Sequence, residues 1–210
     1  MEFGSRPCRS PRRIARIFVP LVALLILAAC TEVADFGAYW DRGTLDPALA
    51  GRWKKIGLPG EPINSIPGPD LVVFTKSGTS YSLQVTNPVD DPALNPDARA
   101  QRVRDNNVRF EAKTLRIGGR NFLMVRVGDG SGRGAIERYE IKGNVLEEWW
   151  LLPAAAKEWL EAKHPNVQGI KPFLGSFVTI EKLDDEVVGI LAETLNDRSL
   201  WILSCQYRKL

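Results

Sequence analysis

The chain has 210 residues, 44% of them hydrophobic, which suits one domain with a substantial core. Its 28 basic and 25 acidic residues give a net charge of +3. Five arginines and one glutamate lie within residues 1–29, so the remainder carries 23 basic and 24 acidic side chains. Nucleic-acid binding needs a clustered basic surface, and this near-neutral balance gives no electrostatic case for such a partner.

The first 29 residues have the three-part layout of a secretory signal peptide. Thirteen uninterrupted apolar residues, 17–29, follow a positive segment that contains Arg6, Arg9, Arg12, Arg13 and Arg16. A membrane-spanning helix needs about twenty apolar residues. The shorter run, ending in small residues, is typical of an export signal, so we expect residues 1–29 to be removed.

The predicted cleavage site is Leu27, Ala28 and Ala29 directly before Cys30. This stretch resembles the lipobox of bacterial lipoproteins. The resemblance implies diacylglyceryl transfer to the Cys30 thiol, cleavage before Cys30 and, in many bacteria, acylation of the new amino terminus. With Thr31 next, it implies a place in the outer membrane facing the periplasm in a Gram-negative cell. The alternative is an ordinary signal peptide, or a short anchor, with an incidental cysteine.

Two units are predicted after the signal. Residues 30–45 have no sustained period and are predicted to be a lipidated tether, with Tyr39 and Trp40 docked on the domain or near lipid headgroups. Residues 46–210 are predicted to form a single β-rich globular domain.

The cysteines bear on the redox chemistry. Cys8 leaves with the signal and Cys30 carries lipid, so Cys205 remains alone and no intramolecular disulfide is possible in the processed protein. Cys205 lies in an apolar, strand-like run, which predicts a buried and inert thiol.

Alternating apolar and polar residues predict strands through most of the domain. In the segment 79–86, for example, Tyr81, Leu83 and Val85 alternate with polar residues. Glycine pairs at 118–119 and a turn at 142–143 predict hairpins. The last hairpin is predicted over 177–182 and 186–193, and the last strand over 199–208. A helical turn is predicted near 97–102.

The clearest predicted helix covers residues 153–163. Proline is tolerated in a first helical turn, and Leu152, Ala156, Trp159 and Leu160 share one face. The sequence therefore predicts a mainly β fold. We expect an antiparallel barrel-like or strongly curved sheet of about nine strands with this one packed helix.

Two stretches carry a family resemblance. Gly51-Arg52-Trp53 resembles the Gly-x-Trp opening strand of lipocalin-type barrels, which implies a tryptophan at the closed end, with a late arginine (Arg208 or Arg198) over its indole. Residues 46–192, including the hairpin 115–123, are similar to a group of predicted bacterial lipoproteins of unknown activity. The Pro-rich segment 59–69 and the late helix depart from a plain lipocalin. The group brings no catalytic residues.

No catalytic, metal or cofactor site is predicted. Residues 129–140 resemble a calcium loop in spacing, but Arg133 stands where an oxygen ligand belongs. His164 is the single histidine, which excludes a zinc site built on several histidines and leaves a serine triad without support. Neighbouring acids such as Glu147 and Glu148 point to opposite faces of a strand, as do Trp149 and Trp150. One of these tryptophans is expected in the core.

We therefore expect a membrane-anchored envelope lipoprotein with a binding or structural role. Its partner would be the membrane, through the lipid on Cys30, together with a small apolar ligand or an envelope protein. The alternatives are an envelope hydrolase or glycan-processing enzyme that uses carboxylates, and an inhibitor of such a hydrolase. Two facing buried carboxylates would favour catalysis.

Overall fold

The computed structural model describes residues 31–58, 60–61, 68–87, 95–106, 108–173 and 177–210. The side chains at 98, 101, 102, 105, 172, 173 and 177 are outside the description. The predicted signal peptide, Leu27, Ala28, Ala29 and Cys30 therefore lie outside the described residues, and the lipobox stays a prediction. The same holds for most of the Pro-rich segment 59–69.

The centre of the fold is a closed antiparallel barrel of eight strands, which confirms the predicted mainly β, barrel-like fold class. The strands follow one another around the barrel in chain order, and the last closes against the first. They are β2 (Gly51–Ile56), β3 (Leu71–Ser77), β4 (Ser80–Thr86), β5 (Phe110–Ile117), β6 (Arg120–Val127), β7 (Gly134–Lys142), β8 (Val145–Leu151) and β11 (Trp201–Lys209).

The two ends of the barrel differ. At one end the strands are joined by tight turns at Gly78, at Gly118 with Gly119, and at Gly143. These glycines have positive φ, the conformation that tight hairpin turns demand. The 3-10 turn Pro47–Leu49 leads into β2 at this same, closed end. All the long connections, 57–70, 87–109, 128–133 and 152–200, leave from the opposite, open end.

Three further strands widen the sheet beside β7: β1 (Thr31–Val33), β9 (Ile170–Phe173) and β10 (Phe177–Ile180). Strand β1 pairs antiparallel with β7 and parallel with β10. Phe36 and Trp40 that follow are buried. The prediction of a tether over 30–45 is therefore wrong for its described part, because residues 31–45 are built into the fold. The docking of Trp40 was the correct alternative.

The helices are α1 (Ala38–Arg42), α2 (Pro96–Asp105), α3 (Pro153–Lys163) and α4 (Asp185–Thr194). Helix α3 has the predicted bounds. The strand predicted over 186–193 is wrong, because this segment is α4. Its apolar residues follow a helical spacing, and Asp184 caps its first turn by accepting a hydrogen bond from the Val187 N–H at 3.0 Å.

Two apolar cores result from this arrangement. One fills the barrel, and the other lies between the outer face of the barrel and the layer formed by α1, α3, α4, β1, β9 and β10. Strands β7 and β8 therefore bury both faces. Their outer residues, such as Ile136 and Leu151, join the second core.

Candidate functional site

The interior of the barrel is the candidate site, and strand alternation decides which side chains enter it. On β7 and β8 the inward positions are 135, 137 and 139, and 146, 148 and 150. Tyr139 and Leu146 belong to the interior core, as do Cys205 and Tyr207 of β11. The same alternation turns Glu137 and Glu148 inward.

The closed end is held by hydrogen bonds to the 3-10 turn and its Asp46 cap. The Tyr81 hydroxyl donates to the Asp46 carbonyl oxygen at 2.9 Å, and the Tyr139 hydroxyl donates to Asp46 Oδ2 at 2.8 Å. Burial, together with the Asp46 carboxylate, raises the pKa of Tyr139. The Trp53 indole N–H donates to the Leu49 carbonyl oxygen at 2.7 Å. These bonds close this end of the barrel.

The cation over Trp53 is a lysine. Lys209 Nζ lies 5.1 Å from the centre of the Trp53 ring and donates to the Ala48 carbonyl oxygen at 2.9 Å. Arg208 and Arg198, the expected arginines, are both exposed. Lys209 takes the position because it is the residue of β11 paired with Trp53.

Glu148 lies midway along the interior. It is paired with Tyr139 of β7 on one side and with Cys205 of β11 on the other. Glu137 is its diagonal neighbour on the same face, a relation that separates Cβ atoms by about 7 Å. Burial, and then the negative charge of Glu137, raise the pKa of Glu148 well above its usual range. This pair was not predicted from the sequence.

The Glu148 carboxyl receives no hydrogen bond from the residues that the structure describes. Burial is the main cause of the raised pKa of Glu148, although part of the residue remains accessible.

Two groups of β11 lie beside Glu148. Burial raises the pKa of the Cys205 thiol to about 12, and the charge of Glu148 adds to this effect. Cys205 is buried, as predicted, and such a thiol is a poor nucleophile. Tyr207 is completely buried, and its hydroxyl has no hydrogen-bond partner among the described residues. Burial, then the charge of Glu148 and the nearby Cys205 thiol, raise the pKa of Tyr207.

The connection between β2 and β3 passes over these groups. A Cβ at Gly68, whose φ is 94°, would lie 2.7 Å from the Tyr207 hydroxyl oxygen. Lys55, 7% exposed, donates to the Gly68 carbonyl oxygen at 3.0 Å and pairs with Asp70 Oδ1 at 3.0 Å. The ammonium of Lys55 therefore holds this loop against the barrel.

Trp150 and Ile202 are paired across β8 and β11 on the inner face, one step nearer the open end than Glu148. The Trp150 indole N–H is buried without a hydrogen-bond partner in the described part of the chain, and Ile202 is 48% exposed. Trp149 points outward to the second core, where the Arg138 guanidinium carbon lies 4.8 Å from its ring centre. The two adjacent tryptophans thus face opposite ways, as predicted.

The other residues singled out from the sequence do not join this site. Glu147 faces outward, accepting hydrogen bonds from Lys142 at 2.7 Å and Gln206 at 3.0 Å. His164 ends α3, with Nε2 3.0 Å from Glu193 Oε2. Within the described residues no group of three or more histidine, cysteine, aspartate or glutamate side chains is placed to hold a metal ion.

Comparison with known proteins identifies no relative. A scan against protein-family models gives no match, and searches of curated proteins and of solved structures find no similar chain. The helices in the described ranges include none with the length and apolarity needed to cross a membrane.

Proposed function

We propose that this protein is a lipid-anchored lipoprotein of the cell envelope whose lipocalin-like barrel binds a small molecule without transforming it. The observation that carries the proposal is that two polar groups inside the barrel, the Glu148 carboxyl and the Tyr207 hydroxyl, have no hydrogen-bond partner among the described residues. Buried polar groups are nearly always hydrogen-bonded, so an exception points to a missing partner. An eight-stranded barrel is wide enough to hold one small ligand.

The described residues of the two barrel ends support entry of a ligand from the open end. The turn Pro47–Leu49 and its hydrogen bonds occupy the closed end, while the long connections and the partly exposed Ile202 lie at the open end. A ligand would enter past Trp150 and Ile202 and meet Glu148 further inside. Clefts with an apolar lining and a few convergent polar groups are the usual form of small-molecule sites.

The test of binding is the recovery of the ligand. The full-length protein is extracted from bacterial membranes in detergent, denatured, and the released small molecules are measured by mass spectrometry. We expect one compound in near-stoichiometric amount, depleted in Glu148→Gln and retained in Glu147→Gln, whose side chain lies on the opposite face. Absence of any compound from the wild-type protein, with no stabilisation by added small molecules, would refute binding.

Lipid attachment is proposed from the sequence alone and has its own test. Cells fed labelled palmitate should incorporate label into the wild-type protein and into Cys8→Ser, since Cys8 is predicted to leave with the signal. Cys30→Ser should carry no label and should lose its membrane association. A labelled Cys30→Ser protein would refute the lipobox interpretation.

The acid pair favours a second candidate, the envelope hydrolase or glycan-processing enzyme. A Glu148 with a raised pKa beside another carboxyl group resembles the acid and base pairs of glycoside hydrolysis in chemistry. Incubation with peptidoglycan fragments and measurement of new reducing ends distinguishes the two. Turnover that is lost in Glu148→Gln and kept in Glu147→Gln would establish the enzyme and displace the binding proposal.

A further inference from the structure

The outer face of the barrel carries a cluster of basic side chains near the closed end. Trp53 of β2 and Tyr207 of β11 point into the interior core. Their neighbours along the two strands therefore point outward, and these are Arg52, Lys54 and Arg208. All three are exposed, and together they form what we call the basic patch.

The register of β2 and β11 brings like charges together within the basic patch. Lys54 is paired with Arg208 across the two strands, which places their Cβ atoms about 5 Å apart. Arg52 lies two residues from Lys54 on the same face, about 7 Å away. Like charges directly opposite each other destabilise a sheet. The basic patch therefore gains when an external anion neutralises it.

No carboxylate in the described part of the chain is bonded to the basic patch. Its three side chains form no hydrogen bond and no ion pair with the residues that the structure describes. Glu147 is the diagonal neighbour of Arg208, but it is buried and accepts hydrogen bonds from Lys142 at 2.7 Å and Gln206 at 3.0 Å. The basic patch is therefore free to meet an anion from outside.

The basic patch lies at the end of the barrel from which the predicted anchor would enter. Strand β1 runs antiparallel to β7, with Val33 opposite Gly134 and Thr31 opposite Ile136. Because β7 runs towards the closed end, Thr31 is the residue of β1 nearest to that end. A lipid on Cys30 would therefore join the fold from the closed-end side. An anchored protein would turn this end, with the basic patch, towards the bilayer.

We propose that the basic patch binds the anionic headgroups of the phospholipid bilayer to which the protein is anchored, an inference that rests on the proposed lipid attachment. The phosphate groups of the headgroups supply the negative charge that the basic patch lacks. A lipid chain and a basic surface reinforce each other on a membrane, because each basic side chain near an anionic surface strengthens binding about fivefold. The basic patch thus decides which side of the barrel faces the bilayer.

The lysine of the basic patch reports its contact with lipid. The full-length protein is extracted in detergent and reconstituted into vesicles of phosphatidylcholine, either alone or with an equal amount of phosphatidylglycerol. The rate at which a water-soluble reagent acetylates Lys54 is then followed by mass spectrometry. We expect acetylation to be several-fold slower in the anionic vesicles, and we expect this difference to disappear in high salt, which screens exposed charges.

Two matched double variants keep Lys54 as the reporter. Arg52→Gln with Arg208→Gln removes the other cations of the basic patch and should abolish most of the protection, since two factors of about five are lost. Arg109→Gln with Arg198→Gln removes two exposed arginines from connections at the open end and should leave the protection unchanged. All four arginine side chains lack partners among the described residues, so neither variant threatens the fold.

Equal acetylation of Lys54 in the two kinds of vesicle would overturn the headgroup assignment. So would equal protection by inorganic phosphate in solution, because the basic patch would then recognise free phosphate and not a bilayer. If the wild-type protein takes up no labelled palmitate, it is the lipid attachment that fails. Sedimentation of the two double variants with the anionic vesicles then tests the basic patch by itself, and equal sedimentation of the two would refute it.

Discussion

Glu148→Gln should change the pH dependence of stability in a direction that the structure fixes. Burial and the charge of Glu137 raise the pKa of Glu148 in the folded protein, whereas in the unfolded chain a glutamate titrates near its reference value of about 4.3. Between these two pKa values the unfolded chain has lost the proton and the folded protein still holds it. Raising the pH through this window therefore favours unfolding.

The size of the effect follows from linkage. One proton held only by the folded state lowers the free energy of unfolding by about 1.4 kcal/mol for each pH unit inside the window. Glutamine does not titrate in this range, so the free energy of unfolding of Glu148→Gln does not fall in this way. The stability of the variant relative to wild type should rise with this slope from about pH 5 upward, and level off above the folded-state pKa.

Equilibrium unfolding in urea between pH 5 and pH 9, followed by tryptophan fluorescence, measures this difference. Titrating groups that do not interact with Glu148 are shared and cancel in the subtraction, whereas Glu137 interacts with Glu148 and titrates with it as a pair. Glu147→Gln controls for the amide substitution itself, since the side chain of Glu147 lies on the opposite face of the strand and faces Lys142 and Gln206. A difference between Glu148→Gln and wild type that stays constant with pH would refute a buried, protonated Glu148.

Three further predictions concern the fold. Tyr139→Phe loses a hydrogen bond to a carboxylate and should lower the free energy of unfolding in urea by about 2 kcal/mol. Tyr207→Phe should leave it unchanged or raise it, because the Tyr207 hydroxyl has no partner among the described residues. Equal losses in the two variants would contradict the assigned bonding. Asp184→Ala removes the cap of α4 and should cost about 1 kcal/mol, measured in the same way; no change would mean that the cap is not formed. Val33→Ala, at a fully buried position of β1, should lower the free energy of unfolding by about 2 kcal/mol, and Glu32→Ala should lower it much less. An unchanged free energy of unfolding in Val33→Ala would support the predicted tether over 30–45.

The barrel was predictable because its signals are local. Alternating strands and turn glycines specify three hairpins of the barrel, β3–β4, β5–β6 and β7–β8. Helix α4 was misassigned because Val187, Val188 and Ile190 favour strands individually. The capping residue Asp184 and the helical spacing of the buried side chains carried the correct signal.

Strand β1 was not predictable in the same way. It has three residues, too few for a period, and both of its partners are distant in sequence. Strand β1 pairs with the part of β7 that β8 leaves unpaired. This unpaired edge exists only in the folded sheet.

The candidate site could be predicted in part. The turn at Gly143 places Glu148 opposite Tyr139, so the register of the hairpin was available from the sequence. The facing direction was not, because helices and added strands cover the outside of β7 and β8, and apolar residues occupy both faces. Without a polar outer face, alternation no longer distinguishes inside from outside, and the relation between Glu137 and Glu148 stays hidden.

The pairing of Thr31 with β7 and β10 has a mechanical consequence for a protein anchored at Cys30. One extended residue spans at most about 3.6 Å, so an acylated Cys30 would hold the barrel against the lipid headgroups with almost no reach. Such a molecule could not swing out to meet a partner across the periplasm. It would diffuse only in the plane of the membrane, and it would exchange only compounds that arrive at, or leave from, the surface of its own bilayer.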